Sequence, residues 1–514
     1  MLIFIYGPPA SGKTTVGRLL ANRLNLPFTD LDVEIERQAG KTIPKIFAEQ
    51  GEPAFRRLEL DALQAMPPNQ AGVIALGGGA LLDPRARAIA EQRGAVLCLG
   101  APLETLTRRL HSDRNQRPLL AQDSRQQLAE LLEKRSAHYA SFHHRLENNR
   151  DPYEVAWEAQ IRLGAFHIRG MGSGYDVRVQ PGGLATLGEA LQQRELHGPI
   201  ALVSDETVGA LYAERVTAAL QACSYAFQDT RLPAGEPHKT IETVNRVWNA
   251  FLQAHLERRS TAVAMGGGVT GDLVGFAAAT YLRGIPWVNV PTTLLAMVDS
   301  SLGGKTGANL PQGKNLIGAF HAPRLVLADP LTLATLPESE LRNGLAETIK
   351  HGVIGDPQLF AMFAQPWEAW PEDWFELVSR SMAVKVKVIE ADPYEQGLRQ
   401  ALNLGHTLAH GLEIVSNFQI SHGQAVAIGT AAEAHLSERI GLAPSGLAET
   451  IQNALQNVGL PTHIPPELDP DAIRSAMTLD KKKAAGKIKF ALPVAIGRVE
   501  VGVEAAGWER LLFE

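Results

Sequence analysis

The sequence predicts an α/β protein with more than one domain, and three observations support this prediction. Its 514 residues exceed what a single hydrophobic core normally holds. Short apolar runs alternate with helical patterns as far as residue 165, which is typical of a three-layer parallel sheet covered by helices. Three glycines within Gly170–Gly174 then interrupt the alternation, which begins again at Tyr175.

Each element is predicted from its own stretch of sequence. Apolar runs of strand length predict β-strands at Leu2–Tyr6, Val73–Leu76, Ala95–Leu99, Ile200–Ser204, Thr261–Met265 and Trp287–Val290, and 3.6-residue periodicity predicts a helix at Thr14–Leu24. Helical periodicity dominates from about Pro330 to about Asn457. We therefore expect an α/β domain at 1–165, a linker at 166–175, a second α/β domain at 176–329 and a mainly helical domain at 330–514.

Composition narrows the class of protein. The formal net charge of -6 argues against a nucleic-acid partner. Cys98 and Cys223 lack metal-ligand spacing, as expected of thiols in a reducing cytoplasm. No apolar run reaches the roughly 20 residues that span a bilayer, and the short stretch Met1–Tyr6 has no signal-peptide pattern. We expect a cytoplasmic protein that acts on small molecules.

A phosphate-binding loop follows the first predicted strand. Gly7–Thr14 matches G-x4-G-K-[ST] and opens a predicted helix, which is the context that this motif requires. Gly7 and Gly12 allow backbone N–H groups to surround the phosphates, Lys13 reaches the transferred phosphate, and Thr14 holds Mg²⁺. The sequence therefore predicts phosphoryl transfer.

Further motifs point to the acceptor. Asp30 and Asp32 fall at the carboxyl edge of the predicted sheet, where ligands bind. Arg56 and Arg135 suit an anionic acceptor, which argues against a simple sugar. Gly77–Gly79 offers backbone N–H groups, and Arg117 falls in a polar stretch suited to a lid.

In order and spacing these motifs resemble shikimate kinase across the first 160 residues or so. The resemblance implies an adenylate-kinase-like fold and phosphorylation of the shikimate 3-hydroxyl with ATP and Mg²⁺. It implies metal contacts at Thr14 and Asp30, nucleotide contacts at Thr15 and Arg150, catalytic roles for Lys13, Asp32 and Arg117, and shikimate contacts at Asp32, Arg56, Gly78, Gly79 and Arg135. The family's R-x-P-x-Y reads Arg135–Tyr139 with Ala137 for proline. Another small-molecule kinase remains the alternative.

The second half combines a glycine-rich turn with metal-ligand residue types. Gly266–Asp272 follows a predicted strand and favours close approach of a dinucleotide. Positions 399, 403, 406 and 410 have helical spacing, which predicts one helix with Arg, Asn and two His on a single face. His406 and His422 with Glu347 suit Zn²⁺, although the ligand types do not distinguish Zn²⁺ from Co²⁺. Basic residues of this half suit a phosphorylated, carboxylated substrate.

From about Tyr175 to Gly502, the segments that carry these residues resemble 3-dehydroquinate synthase. They include Pro233–Lys239, Gly266–Asp272, Arg283–Gly284, Pro291–Leu295, Asp299–Thr306, Gly313–Asn315, Gly344–Lys350, Glu395–Arg399, Asn403–His410, His422–Gly423 and Asp480–Lys482. The departures are Leu408, Ala409 and Gly411, where the family usually has phenylalanine, glycine and alanine, and Gln424, where it usually has glutamate. The resemblance implies conversion of 3-deoxy-D-arabino-heptulosonate 7-phosphate to 3-dehydroquinate, with phosphate release and NAD recycled.

The same resemblance implies residue roles. It implies metal ligands at Glu347, His406 and His422, and NAD contacts at Asp205, Glu236, Lys239, Gly267, Gly268, Asp272, Thr292, Thr293, Lys305 and Lys314. It implies catalytic roles for Asp299, Lys305, Lys350, Glu395, Arg399, Asn403 and His410, and substrate contacts at Arg283, Lys385 and Lys482. A polyol dehydrogenase or a sugar-phosphate cyclase with another substrate is the alternative on this scaffold.

The whole chain is therefore expected to be a bifunctional enzyme of aromatic biosynthesis, with a homodimer formed through the synthase half. A competing hypothesis is one active domain joined to a non-catalytic nucleotide-binding regulator. Lys13, Thr14, Asp30 and Arg56 argue against it, because a degenerate sensor would be expected to lose some of them.

Overall fold

The computed structural model describes residues 1–67, 71–112, 124–367, 373–395, 397–482 and 488–513, with backbone alone for 479–482. The chain divides into two compact units, Met1–His167 and Ile168–Glu514. Each unit is described separately below. No helix among the described residues is long and apolar enough to cross a membrane.

The first unit is built on a five-stranded parallel sheet with strand order β2-β3-β1-β4-β5. The strands are β1 (Leu2–Tyr6), β2 (Phe28–Asp30), β3 (Gly72–Ala75), β4 (Ala95–Gly100) and β5 (His144–Glu147). The helices are α1 (Lys13–Arg23), α2 (Leu31–Ala39), α3 (Ile43–Gln50), α4 (Glu52–Ala65), α5 (Pro84–Arg93), α6 (Leu103–Ser112), α7 (Ser124–Ala140) and α8 (Pro152–Leu163).

The central strand of this sheet explains the apolar start of the chain. Every residue of β1 is buried because helices cover both faces of the parallel sheet. Leu2, Phe4 and Tyr6 face one core cluster, whereas Ile3 and Ile5 face the other. The uninterrupted apolar run therefore follows from burial on two sides.

The second unit is built on a seven-stranded sheet with order β6-β7-β14-β11-β10-β8-β9. Its strands are β6 (Ala165–Ile168), which contains the division between the units, β7 (Tyr175–Val179), β8 (His197–Asp205), β9 (Phe227–Leu232), β10 (Ser260–Gly266), β11 (Trp287–Pro291) and β14 (Leu325–Ala328). Two antiparallel hairpins are separate from it: β12 (Lys305–Leu310) with β13 (Gly313–Phe320), and β15 (Phe490–Ala495) with β16 (Arg498–Val503).

Helices account for most of the remainder of this unit. Those among the strands are α9 (Leu187–Gln193), α10 (Glu206–Ala222), α11 (Ile241–Gln253) and α12 (Gly268–Thr280). Those that follow are α13 (Glu338–Gly355), α14 (Pro357–Ala361), α15 (Phe375–Ala391), α16 (His406–Val415), α17 (His422–Arg439), α18 (Leu447–Asn457), α19 (Pro470–Lys482) and α20 (Trp508–Leu511). The predicted α/β class and the helical later region are confirmed.

One predicted element is wrong. The helical spacing predicted a single helix through residues 399–410, but Leu398–Asn403 forms a 3₁₀ helix and α16 begins only at His406. Gly405 separates them with φ +79°, and a Cβ there would lie 2.4 Å from Thr430 Oγ1 on α17. The close approach of α17 therefore imposes a glycine with a left-handed backbone conformation, which ends helical geometry at that point.

Candidate active sites

The phosphate-binding loop of the first unit is held by its own backbone. It runs from the end of β1 to the start of α1, and the Lys13 ammonium donates to the carbonyls of Gly7 and Pro8 at 3.0 and 2.9 Å. Gly7 has φ +138°, and a Cβ there would lie 2.1 Å from the Leu99 carbonyl oxygen. Only glycine fits this position, so the loop is shaped before any ligand arrives.

Thr14 and Asp30 meet where α1 begins and β2 ends. Thr14 Oγ1 donates to Asp30 Oδ2 at 2.8 Å, while Asp30 Oδ1 caps α2 by accepting from the Asp32 backbone N–H at 3.2 Å. A hydroxyl beside a carboxylate is an oxygen ligand pair of the kind that Mg²⁺ prefers. The two predicted Mg²⁺ contacts are therefore adjacent.

Arg56, across the site from Thr14 and Asp30, is held by two carboxylates and fits beside a glycine. Its guanidinium donates to Glu59 Oε2 at 2.6 Å and to Glu52 Oε1 at 2.8 Å. A Cβ on Gly79 would lie 2.5 Å from Arg56 Nη2, so the guanidinium occupies space that another residue would fill. Arg135 is held similarly, because its guanidinium donates to the Gly78 carbonyl at 3.0 Å.

Glu59 lies on α4 three residues after Arg56, and the sequence alone did not assign it a role. Burial raises the pKa of its carboxyl to about 7, against the opposing effect of Arg56. Gly77 lies between the carboxyls of Glu59 and Asp32. A Cβ on Gly77 would lie 2.5 Å from Glu59 Oε1 and 3.1 Å from Asp32 Oδ1. Two carboxyls thus face each other across a position that only glycine leaves open.

These groups surround one cavity of about 1050 Å³. Its walls include Gly12, Lys13, Thr14, Thr15 and Asp30 on the P-loop side and Asp32, Arg56, Gly78, Gly79 and Arg135 on the other. Arg109, which the sequence reading missed, also lines it and bonds Asn148 Oδ1 at 3.5 Å. Arg150 is exposed and does not line this cavity, and Arg117 lies outside the described residues.

A three-residue cluster in the second unit has metal-ligand geometry. Glu347 of α13 lies with its Oε1 3.4 Å from His406 Nε2 of α16 and 3.2 Å from His422 Nε2 of α17. Their ligand atoms lie within 4.8 Å of one another. One carboxylate with two imidazoles fits Zn²⁺ or Co²⁺ and leaves coordination positions for substrate oxygens.

The electrostatics of this cluster favour an ionised carboxylate. Burial would raise the pKa of Glu347, but Lys350 and the two imidazoles outweigh it and hold that pKa well below its usual range. His406 has its pKa lowered by burial, which keeps the ring neutral. A charged carboxylate and a neutral imidazole are the forms that bind a metal ion. His422 differs, because burial lowers its pKa less than Glu347 and Glu413 raise it, to about 10, so this ring must release a proton to bind the ion.

Glu413 contacts His422 on the side of the ring remote from Glu347. The sequence alone did not assign Glu413 a role. Its Oε1 lies 3.5 Å from His422 Nδ1, the ring nitrogen remote from Glu347. The Lys314 ammonium lies 4.0 Å from the same carboxylate and 4.0 Å from the centre of the Phe418 ring. Carboxylates in this position fix the orientation of a metal-binding imidazole.

Helices α13 and α17 are joined beside the cluster. Ser421 caps α17 in a capping box with Gln424, and its Oγ donates to Asn343 Oδ1 of α13 at 2.6 Å. A Cβ on Gly423 would lie 2.4 Å from the Asn343 Cα, so the two backbones are in close contact. Gln424, a departure from the family pattern, thus retains a helix-capping role.

Buried cations pair with carboxylates around the cluster. Lys350 is 1% exposed, contacts Glu347 and donates to the Leu402 carbonyl at 2.7 Å. Lys385 donates to the backbone carbonyl of Asp299 at 2.7 Å and contacts its carboxylate. Lys305 also contacts a carboxylate, that of Glu395, but its side chain is exposed.

Arg399 is also buried and positioned by backbone. Its guanidinium donates to the Pro393 carbonyl at 2.6 Å. Gly303 has φ +90°, and a Cβ there would lie 2.2 Å from Arg399 Nη2. The glycine-rich turn around Lys305 therefore makes room for this arginine.

The predicted dinucleotide residues gather at the carboxyl edge of the seven-stranded sheet. Asp205 ends β8, and a Cβ on Gly266, at the end of β10, would lie 3.0 Å from its Oδ2. Thr292 donates its backbone N–H to the Gly266 carbonyl at 3.0 Å. Gly267 and Gly268 open α12, and Thr293 follows Thr292 after β11.

A second group joins α12 to the β12–β13 hairpin. Lys239 donates to Asp272 Oδ2 at 2.5 Å and to Asn315 Oδ1 at 2.6 Å, while Glu236 accepts from Asn309 at 2.8 Å. Burial raises the pKa of Asp272 against the effect of Lys239. The predicted contacts Glu236, Lys239 and Asp272 are therefore neighbours.

Several predicted residues are not part of these buried groups. Arg283 follows the carboxyl end of α12, a helix of 13 residues and about 20 Å, and therefore lies far from the glycine turn at its start. Asn403 and His410 are exposed, with the His410 ring 5.8 Å from the His406 ring. The side chain of Lys482 is outside the described residues.

Comparison with known families accounts for both units. Residues 9–162 match shikimate kinase, 229–343 match the 3-dehydroquinate synthase N-terminal domain and 344–483 match its C-terminal domain. The 3-dehydroquinate synthase of Synechocystis sp. is 46% identical over 336 residues, 64% of this chain and 93% of that protein. The chain belongs to the 3-dehydroquinate synthase family. A shikimate kinase domain precedes the synthase domain.

Solved structures agree for the synthase domain. The 2-epi-5-epi-valiolone synthase of Streptomyces hygroscopicus, with NAD⁺ and Zn²⁺ bound, is 32% identical with a TM-score of 0.59, over 66% of this chain and 94% of that one. A 2-deoxy-scyllo-inosose synthase with carbaglucose-6-phosphate, NAD⁺ and Co²⁺ is 25% identical with a TM-score of 0.61, over 68% and 99%. The scaffold thus serves several cyclase substrates.

Proposed function

We propose that the chain catalyses two reactions of the shikimate pathway, one in each unit. The kinase domain phosphorylates shikimate with ATP and Mg²⁺, and the synthase domain converts 3-deoxy-D-arabino-heptulosonate 7-phosphate to 3-dehydroquinate with NAD and Zn²⁺ or Co²⁺. The cluster of Glu347, His406 and His422 beside Lys350 carries the second proposal, because it joins metal ligands to a buried cation.

In the kinase domain the proposed roles follow from charge. Lys13 neutralises the transferred phosphoryl group, and Thr14 and Asp30 hold the magnesium ion. Asp32 accepts the proton of the attacking hydroxyl, while Arg56 and Arg135 bind the acceptor carboxylate. Arg117 remains a proposed lid residue.

In the synthase domain the buried cations bind the anionic substrate. Lys350, Lys385 and Arg399 attract its phosphate and carboxylate, and Asp299, Glu395 and Lys305 hold and transfer protons. When bound, NAD supplies a reversible hydride acceptor, and the metal held by Glu347, His406 and His422 polarises substrate oxygens. Asp205, Glu236, Lys239 and Asp272 are proposed to orient the dinucleotide.

Phosphate release from 3-deoxy-D-arabino-heptulosonate 7-phosphate by the full chain tests the synthase. We expect release that needs NAD, stops on chelation and returns with Zn²⁺ or Co²⁺, with 3-dehydroquinate as product and no NADH accumulation. Accumulating NADH would instead favour a polyol dehydrogenase. Release only from other sugar phosphates would favour a different cyclase of the same scaffold.

Shikimate phosphorylation tests the kinase and the regulator hypothesis together. We expect Lys13→Ala to abolish shikimate 3-phosphate formation and leave phosphate release by the synthase unchanged. A wild-type chain that binds ATP but does not phosphorylate shikimate would support a regulatory module. A cytoplasmic location and a homodimer formed through the synthase domain are further parts of this proposal, which fractionation and sedimentation analysis test.

A further inference from the structure

The backbone carbonyl of Gly78, in the turn that follows β3 of the kinase domain, accepts three hydrogen bonds. Arg135 Nη1 donates to it at 3.0 Å, Tyr139 Oη at 2.9 Å and Tyr6 Oη at 3.3 Å. Tyr6 ends β1, whereas Arg135 and Tyr139 lie on α7. A carbonyl oxygen has two lone pairs, so three donors occupy this oxygen fully.

The Gly79 N–H belongs to the same planar peptide as this carbonyl and points in the opposite direction. No acceptor in the part of the chain that the structure describes bonds to this N–H, although Gly79 is buried. Gly79 also lines the cavity of the kinase site. Because buried N–H groups are nearly always paired, we expect the Gly79 N–H to find its partner in a bound ligand.

Hydrogen bonds to a carbonyl strengthen the N–H of the same peptide as a donor. Each donor draws electron density toward the Gly78 oxygen and leaves the Gly79 N–H more positive, a strengthening of about 10–30% per bond. Donors on three sides of the oxygen also fix the plane of the peptide. The direction of the Gly79 N–H is therefore set before a ligand binds, which lowers the cost of ordering on binding.

The Tyr6 hydroxyl is itself held in place. The Tyr6 ring is fully buried, with its centre 5.6 Å from that of Tyr139 and 5.2 Å from that of Phe142. His138 Nε2 lies 3.1 Å from Tyr6 Oη. A phenol has one proton and a carbonyl only accepts, so both contacts of Tyr6 Oη form together when His138 donates to Tyr6 and Tyr6 donates to Gly78.

Both tyrosines stay donors over the whole working range of pH. Burial raises the pKa of the Tyr6 hydroxyl and of the Tyr139 hydroxyl above the ordinary value of 10.0. Neither side chain lines the cavity. Their hydroxyls therefore reach a ligand only through the Gly78–Gly79 peptide.

We propose that Tyr6 and Tyr139 are positioning residues of the kinase site, which orient and polarise the Gly78–Gly79 peptide so that the Gly79 N–H binds an oxygen of the acceptor. The proposal rests on the proposed kinase function and adds two residues to it. Because the N–H binds the acceptor equally before and during phosphoryl transfer, the two hydroxyls should lower KM for shikimate and leave kcat nearly unchanged.

The test measures the steady-state kinetics of shikimate phosphorylation by the full chain carrying Tyr6→Phe, Tyr139→Phe or both. Phenylalanine keeps the ring and removes only the hydroxyl. The matched control is Tyr153→Phe, which removes a hydroxyl from an exposed position of α8 outside the cavity lining.

We expect KM for shikimate to rise about threefold in Tyr6→Phe and about tenfold in the double variant, in keeping with the loss of one and of two hydrogen bonds. Tyr139→Phe should have a larger effect than Tyr6→Phe, because its hydrogen bond to the carbonyl is shorter. The control, kcat and KM for ATP should be unchanged. A rise confined to KM for shikimate supports the proposal.

The remaining outcomes separate this proposal from the kinase function on which it rests. A wild type that does not phosphorylate shikimate would overturn both. If the wild type is active and the double variant has the same KM for shikimate as Tyr153→Phe, only the positioning role fails. Parallel rises in KM for shikimate and for ATP, or a fall in kcat alone, would indicate a purely structural role and would also overturn it. Should Tyr6→Phe fail to fold, Tyr139→Phe decides by the same criteria.

Discussion

Two cations of the proposed kinase site and two of the proposed synthase site are held in different ways. In the kinase domain, Lys13 and Arg135 donate to backbone carbonyls of glycine-rich segments. In the synthase domain, Lys350 and Lys385 contact the buried carboxylates of Glu347 and Asp299. A backbone carbonyl keeps no net charge when the cation is removed, whereas a buried carboxylate does. Loss of Arg135 should therefore affect mainly activity, whereas loss of Lys350 or Lys385 should affect both activity and stability.

The largest effect is expected for Lys350→Met. It leaves the buried Glu347 carboxylate with its two imidazole neighbours but without its ammonium partner, and removal of one partner of a buried ion pair typically costs about 3–5 kcal/mol. We expect loss of synthase activity and a lower unfolding temperature of the metal-free chain in calorimetry. Arg135→Met is the contrasting variant: kinase activity should be lost and unfolding little changed, because Arg135 donates to the Gly78 carbonyl. Equal destabilisation by the two substitutions would contradict the comparison.

The Glu59 carboxyl predicts an unusual pH dependence within the kinase domain. Its pKa is raised from 4.5 to about 7, so the folded state binds the proton more tightly than the unfolded state does. This contribution to stability is complete below pH 4.5 and is lost as pH rises to 7, by about 3 kcal/mol at about 1.4 kcal/mol per pKa unit.

Glu59→Gln should remove this dependence. Chemical denaturation of the wild type and of the variant at pH 4.5, 6 and 7.5 gives the difference in unfolding free energy. The variant should gain stability relative to wild type as pH rises. A constant difference across this range would show that Glu59 is ionised throughout, with Arg56 stabilising its charge.

Glu413→Gln tests whether a carboxylate that contacts a metal-binding imidazole contributes to metal affinity in the synthase domain. The amide cannot accept as strongly from His422 Nδ1, and loss of such a partner typically lowers metal affinity about 10–100-fold. Competition with a zinc-binding dye measures this directly, independently of activity. Glu449→Gln, at an exposed position of α18, removes the same charge and should leave affinity unchanged. Unaltered affinity in Glu413→Gln would rule out this support.

The smallest effect is expected for Gly79→Ala. The added methyl would displace the Arg56 guanidinium, which lies 2.5 Å from that position. A hydrogen bond to a charged group contributes about 1.5–3 kcal/mol, so KM for shikimate should rise at least about tenfold. KM for ATP should stay the same, since Thr14 and Lys13 lie on the other side of the cavity. Parallel increases in both constants would indicate damage to the fold instead.

Local pattern predicted much of this molecule. The strands at Leu2–Tyr6 and Trp287–Val290 were predicted because a sheet buried on both faces requires a continuous apolar run. Glu347 and Lys350 are three positions apart, which is helical spacing, and both lie on α13. The P-loop could be predicted from its motif and from the strand that precedes it.

What the sequence could not predict depends on contacts between distant segments. The helix break at Gly405 is set by Thr430 on α17, which no local spacing reveals. Glu59 and Glu413 support other residues through contacts that exist only once the helices have packed. A cavity at the amino edge of the synthase sheet brings together arginines from four segments between Arg194 and Arg324. In the sequence alone, each of these arginines looks like an ordinary surface residue.

The contact between α13 and α17 affects how the proposed metal ion is released and rebound. Ser421 and Asn343 connect the two helices within a few residues of His422 and Glu347, and their backbones touch at Gly423. Glu347 and His422 are 75 positions apart in sequence, but they lie on two helices that are fixed to each other. The distance between these two ligands is therefore set by helix packing rather than by the ion. We expect the ion to leave and return without unfolding of the surrounding helices, so that exchange is governed by coordination chemistry.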